Sequence, residues 1–528
     1  MRSSFLIIAL IAFSATFSFA QNEDPSVKYA NTIRAEELKV HLTFLANKCE
    51  GRETGKPGII KAANYILDQF GKNGLTEVYE YPGAKYGFAR QQEYPLIEFG
   101  WNTASIATKK DIFILMQDFY GYAGANNSSN FTADDIVFLG YGIDDSVYSD
   151  YKNVNVKGKV VIVAGGEPSA NGISLLTKTE EMSKWTTDWR KKVNAATENG
   201  VKCLLMIDSN TEAVLADKQW RSFLEGTLLK LKSEYKEPEY CNSFFISQSM
   251  AEKLLGKKKK FLGKYIDKID QTFLPASFSA PATLVININK LEKEVFASNV
   301  LGFVEGTDLK DEVVIVSAHY DHLGIRDSVV YNGADDDGSG TVAILEIAEA
   351  ILEAKINGEG PRRSVLFVAF SGEEKGLLGS KSYVEQPAFP LANTVADLNI
   401  DMIGRVDEKH KDDSNYIYII GSDFLSTQLH SINEAAAKNY TDLDLDYTFN
   451  STTDPNRFYY RSDHYNFAKN NIPVIFYFNG THADYHAPTD DVEKINFGLL
   501  EERTKLVFHT LWILANQDAR IKVDVIQE

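Results

Sequence analysis

Val313-Val-Ile-Val-Ser-Ala-His-Tyr-Asp-His-Leu-Gly324 is an apolar run that ends in a His-x-Asp pair, His319 and Asp321. A short continuous run of β-branched residues bounded by turn residues reads as a strand buried on both faces. Residues two apart at a strand end lie on one side, so the Asp321 carboxylate can hold the His319 imidazole and fix its tautomer. If the strand continues, His322 points away from His319 and is a neighbour rather than a ligand. Alone, the pair describes a hydrogen-bonded surface histidine as well as it describes a metal ligand. The rest of the C-terminal half decides between them.

That half alternates strands with helices. Further strands are expected at 364–370, 395–400, 416–420 and 473–478, with helices at 339–354, 376–385, 423–439 and 497–515. This is an α/β layer architecture around a largely buried central sheet. Ligands of such sheets collect at the carboxyl ends of the strands. The first strand ends at His319. The acidic loop Asn332-Gly-Ala-Asp-Asp-Asp-Gly-Ser-Gly340 then opens a helix, and the next strand ends at Ser371-Gly-Glu-Glu374. The third ends at Asp401, and the last leads to Ala483-Asp-Tyr-His486.

Each piece has an ordinary explanation as a helix cap, a solvated acid or a turn. Together they form a donor set of nitrogen and oxygen only, which suits zinc, with cobalt or manganese as substitutes. Two neighbouring ions need one carboxylate to bridge them, and each needs about one histidine and one further acid. One carboxylate should remain as general base, and the adjacent pair Glu373-Glu374 can divide the two roles.

With these residues in view, the sequence resembles the di-zinc aminopeptidase family, which includes secreted bacterial leucine aminopeptidases and, more distantly, glutamate carboxypeptidase II. The likeness rests on His319-Tyr-Asp321, Gly333-Ala-Asp-Asp-Asp-Gly-Ser-Gly340, Ser371-Gly-Glu-Glu374, Asn399-Ile-Asp-Met-Ile-Gly404 and Asp484-Tyr-His486. Arg52-Glu-Thr-Gly55 and its flanking helices also look like the family's N-terminal part. The resemblance implies a three-layer α/β sandwich with a mostly parallel, mixed central sheet, and hydrolysis of peptide substrates. It implies two Zn2+ ions, one held by His319 and Asp401, the other by Glu374 and His486, with Asp336 bridging. Glu373 would be the general base, Asp321 the partner that orients His319, and Tyr485 the group that stabilises the developing oxyanion. A cis peptide bond between Asp336 and Asp337 is expected on the same grounds.

Two rival readings stand beside this one. A glutaminyl cyclase-like acyltransferase shares the motif set, but usually has Trp where this chain has Tyr485. A non-catalytic binding protein on the same scaffold should have lost ligands, and here all are present. The motifs leave open whether an N-terminal or a C-terminal residue is removed. Ser462, Asp463, His464 and His482 lie near the last ligand and could shape the pocket or serve structure.

The 528 residues are too many for one core. Residues 1–20 read as a signal peptide, with Arg2, an apolar run from Phe5 to Phe17 and a small-x-small site at Ser18-Phe-Ala20. The expected divisions are 21–133 for the N-terminal part of the peptidase domain, 134–272 for an inserted β-rich α/β domain that resembles a protease-associated domain, and 273–528 for the catalytic region. Residues 76–133 are expected to form short strands and loops, with a linker or exposed turn at 126–130. The net charge of −18 argues against nucleic acid or an anionic membrane as partner. With the leader, it points to an exported protein, periplasmic or extracellular. Cys49, Cys203 and Cys241 lack metal-ligand spacing; Cys203 reads as a structural thiol, with a disulfide left open. The oligomeric state is left open.

Overall fold

The computed structural model describes residues 24–75 and 90–525, so the expected signal peptide lies outside the described residues. The chain divides into two compact units: one takes residues up to Glu93 and from Ser298 onward, the other Tyr94–Ala297.

Among the described residues, the first unit contributes six strands to the large sheet: β1 Leu309–His319, β2 Arg363–Phe370, β3 Thr394–Ile400, β4 Tyr416–Ile420, β5 Asp444–Asp446 and β6 Val474–Phe478. They lie in the order β5-β4-β6-β3-β1-β2. β1 runs parallel to β2 and β3, β3 to β6 and β4 to β5, while β4 and β6 are antiparallel. Val300–Val304, the end of strand Ser277–Val304, pairs antiparallel with β2. The sheet is mixed and mostly parallel, as expected.

Its main helices are α1 Ala35–Lys48, α2 Pro57–Lys72, α3 Gly340–Ile356, α4 Leu378–Glu385, α5 Thr427–Tyr440 and α6 Phe497–Asn516. Their starts follow from local chemistry. Glu36 and Glu37 sit in the first turn of α1, Pro57 opens α2, and the Ser426 and Asn496 side chains accept from the third backbone amide beyond them.

Alternation along each strand divides the core in two. Val314, Val316, Ala318, Val365, Phe367 and Ala369 pack with apolar residues of α1, α2, α3, α5 and α6. The intervening Val313, Ile315, Leu366, Val368 and Phe370 pack with Tyr383 of α4 and with Phe467. Helices therefore cover both faces, which accounts for strands that are apolar throughout rather than alternating.

The second unit is wider than the expected 134–272. Gln91–Ala107 is one 17-residue strand instead of an irregular segment, and its Leu96–Phe99 pairs with Leu228–Leu231. Half-buried alternation along Tyr94, Leu96 and Phe99, interrupted by Pro95 and Gly100, had hidden it. Ser277–Ile288, Ser129–Leu139, Val160–Ala164, Cys203–Ile207 and Asn242–Ile246 continue this unit's sheet. The expected linker at 126–130 is structural: the buried Asn126 side chain donates to the carbonyls of Tyr122 and Ser243 and accepts from the Ser243 amide. All three cysteines are buried and free. No helix among the described residues is long and apolar enough to cross a membrane.

Candidate metal centre

β1, β2, β3 and β6 point their carboxyl ends the same way, and the segments beyond those ends converge. His319 is the last residue of β1, Glu373 and Glu374 lie just beyond β2, Asp401 comes directly after β3, and Tyr485 and His486 belong to the loop after β6. Asp336 lies in the acidic loop before α3, and its peptide bond to Asp337 is cis.

The distances define two halves. His319 Nε2 lies 3.3 Å from Asp336 Oδ1 and 3.5 Å from Asp401 Oδ1. His486 Nε2 lies 3.1 Å from Asp336 Oδ2 and 3.3 Å from Glu374 Oε2. The two oxygens of Asp336 thus face different histidines. Zinc bonds of about 2.0–2.1 Å in a tetrahedron put ligand atoms about 3.3 Å apart. The separations match that spacing, and the donor set fits the ion. Glu373 Oε2 lies 3.9 Å from His319 Nε2.

Charge in the cluster supports the fit. Burial opposes the His319 cation, yet Asp401 and Glu373 outweigh it and hold its pKa well above the usual value. Burial likewise opposes the His486 cation, but Asp336 and Glu374 raise its pKa to about 10. The cluster demands positive charge, which a divalent ion supplies while displacing the histidine protons. Burial, with Glu374 and Asp401 nearby, pushes Glu373 well above the usual carboxylate range. For Glu374, His322 and His486 overcome burial and the nearby Asp336 to leave it at about 2.

The supporting groups depart from expectation. His319 Nδ1 lies 3.1 Å from the main-chain oxygen of Asp321 and 3.7 Å from its carboxylate. The carboxylate instead accepts from Thr54 Oγ1 at 2.9 Å and from the Glu373 amide at 3.1 Å. Asp321 therefore steadies the Glu373 turn as well as the histidine. Asp337 is also near His319 and Asp401. Its oxygens are occupied by the amides of His319, Gly340 and Met402, which makes it a brace for the loop. His482 faces Asp335 at 3.1 Å, and Ser462 accepts from Asn399.

His322 does not point away. β1 stops at His319, so strand alternation no longer applies three residues later. The ring is fully buried, with Nδ1 2.9 Å from Glu374 Oε1. Met402, Phe458, Arg461, Phe476, Phe478 and Thr481 complete the pocket over the cluster, beside Tyr485. Arg461 Nη2 donates to the Tyr485 hydroxyl at 3.1 Å, and its guanidinium lies over the Phe458 ring. Phe476 and Phe478 were legible as alternate residues of β6; Arg461 and Phe458 carry no local pattern.

The first unit thus sets a carboxylate–histidine cluster over the strand ends of an α/β sheet. Residues 299–511 match the model of peptidase family M28. A probable leucine aminopeptidase of Arthroderma otae is 30% identical over 212 residues, 39% of this chain and 55% of the relative. Aminopeptidase YwaD of Bacillus subtilis is 27% identical over 234 residues, 43% of this chain and 46% of the relative. The chain thus spans about half the length of these curated relatives. The aminopeptidase from Aneurinibacillus sp. strain AM-1 superposes with TM-score 0.52 at 17% identity, covering 95% of this chain and 98% of that one. A zinc aminopeptidase from Bacillus subtilis gives 0.50 at 17%, covering 94% and 99%. At these identities the likeness is one of fold.

Proposed function

We propose that the protein is an exported zinc-dependent aminopeptidase that removes apolar residues from the free N-terminus of peptides. The observation that carries this reading is Asp336, with one oxygen toward His319 and the other toward His486. The named activities of the relatives support aminopeptidase over the alternatives. The apolar wall of Met402, Phe458, Phe476 and Phe478 suits an apolar first side chain.

In this reading His319 and Asp401 would hold one zinc and Glu374 and His486 the other, with Asp336 shared. Bound zinc supplies Lewis acidity that polarises the scissile carbonyl and acidifies a water. Glu373 takes a proton from the attacking water and delivers it to the leaving amine. Burial keeps the Tyr485 phenol protonated. Because Arg461 donates to its oxygen, the Tyr485 O–H is free to donate to the substrate oxygen as that atom gains charge. Tyr94–Ala297 is read as the protease-associated insertion, and residues 1–20 as a leader cleaved before Gln21.

The test is a panel of aminoacyl and N-blocked peptides, assayed native, after chelation and after zinc is restored. Hydrolysis confined to free N-termini, lost on chelation and regained with zinc, is expected. Turnover that survives complete chelation, or cyclisation of N-terminal glutamine without hydrolysis, overturns the reading.

A further inference from the structure

The two halves of the cluster are not alike. The His319 half offers Asp336 and Asp401 as its other donors. The His486 half offers Asp336 and Glu374, and beside them a third imidazole, this one fully buried, that the zinc reading leaves without a task. His322 Nδ1 lies 2.9 Å from Glu374 Oε1 and 3.8 Å from Asp336 Oδ2. The first contact is short but not aligned as donor to acceptor. Glu374 Oε1 and both ring nitrogens of His322 therefore lack a hydrogen-bond partner. A buried imidazole and a buried carboxylate oxygen, close together and both unsatisfied, are rare in a folded protein. A cation held among His322, Glu374 and Asp336, whose ligand atoms lie within 4.8 Å of one another, would satisfy both.

The ring is also held in place. The His322 amide donates to the carbonyl of Arg52 at 3.2 Å. Gly333 has φ +56°, and a Cβ there would stand 2.5 Å from both Cγ and Cδ2 of the imidazole. The glycine thus makes the space that the ring occupies, and any side chain at 333 would displace it. His486 meets the ring edge-on, with centroids 5.9 Å apart.

We propose that His322 is a direct zinc ligand, through Nδ1, in the Glu374–His486 half of the centre. That half then has four protein donors, Asp336, Glu374, His322 and His486, whereas the other has three. Structural zinc sites are closed by four protein ligands, and catalytic ones keep a position open. The His322 half is accordingly the tightly held, slowly exchanging site. The His319–Asp401 half is the labile one that keeps room for water and substrate.

The inference rests on the zinc reading of the proposed function, and the experiment separates the two. Full-length protein is loaded with zinc, and metal content is measured during stepwise competition with a chelator. Wild type should lose one zinc readily and the second at far higher chelator concentration. In His322→Gln the resistant zinc should be lost at about 10–100-fold lower chelator concentration, a loss of the size that removing a supporting contact already causes. Cobalt-substituted variant should show an altered visible absorption band. Zinc-edge anomalous diffraction on wild-type crystals needs no variant. It should place a zinc about 2.0–2.1 Å from His322 Nδ1. Two zincs in wild type, with identical release curves and cobalt spectra in His322→Gln, overturn this inference alone; so does a zinc beyond bonding distance of Nδ1. A wild-type protein that takes up no zinc overturns the functional reading, and this one with it.

Discussion

Glu373 and Glu374 are adjacent in sequence and opposite in behaviour. Burial and neighbouring acids push Glu373 up, while His322 and His486 draw Glu374 down to about 2. Neighbouring carboxyl groups driven apart in this way accord with the proposed division into base and ligand. Glu373→Gln should keep its zinc content and lose about 10²–10⁴-fold in kcat, the usual range for a general base. Glu374→Ala should instead lose zinc, seen by metal analysis before any assay. Zinc retained in Glu374→Ala, or near-normal turnover in Glu373→Gln, reverses the assignment. The Arg461–Tyr485 contact makes a separate prediction. Removing one oxyanion donor costs about 10²–10³ in kcat, so Tyr485→Phe should fall in that range. Arg461→Ala should fall less, and the double variant should be no worse than Tyr485→Phe alone. Additive losses would show that the arginine acts on substrate independently of the tyrosine.

At the level of elements, the site depends on a turn far away in sequence. Arg52 is fully buried between α1 and α2. Its guanidinium donates to the carbonyls of Tyr320, Leu45, Asn332 and Gly333 at 2.7–3.2 Å. It thereby ties the end of β1 to the loop that carries Asp336. Two residues on, Thr54 joins Asp321 to the amide of Gly372. Arg52→Met leaves these carbonyls without their donor and should cost about 3 kcal/mol or more in denaturant unfolding. The same variant should bind zinc more weakly at permissive temperature. Unchanged zinc affinity in folded Arg52→Met would confine the residue to stability. The N-terminal motif was visible in the sequence, but its purpose was not. A turn has no period that says which carbonyls an arginine will reach in a loop so distant along the chain.

Across the whole molecule, acid sensitivity should come from buried histidine as well as from the centre. His509 of α6 is buried, its Nδ1 2.6 Å from Ser26 Oγ and its ring stacked on Tyr440. Burial lowers its pKa from 6.5 to about 4. Folding therefore favours the neutral ring. The stabilisation is complete above pH 6.5, and is lost progressively as pH falls toward 4, because there the unfolded chain binds the extra proton. The full gap is worth about 3 kcal/mol, at about 1.4 kcal/mol per pH unit. His509→Gln should flatten the fall of unfolding free energy between those pH values. A slope equal to wild type would remove His509 from the account. Lys192, in the other unit, has the same sign in a higher window. Burial lowers it to about 7, so that unit should gain stability from pH 7 toward 10.5.

Most strands and helices of the first unit and the candidate donors were legible in the chain itself, whereas Gln91–Ala107, Asp444–Asp446 and the inward turn of His322 were not. The reason is that apolar runs ending in His, Asp or Glu state both where a buried strand lies and what stands at its carboxyl end. β4 was placed to the residue, and β1, β2, β3 and β6 to within a few residues at their ends. The tertiary structure alone decided that His322 turns inward, that Asp321 reaches the Glu373 amide, and that Arg461 meets Tyr485. Each of these depends on the path of the chain after a strand has ended. There periodicity stops, and packing against distant segments such as Arg52 and Gly333 sets the direction of every side chain.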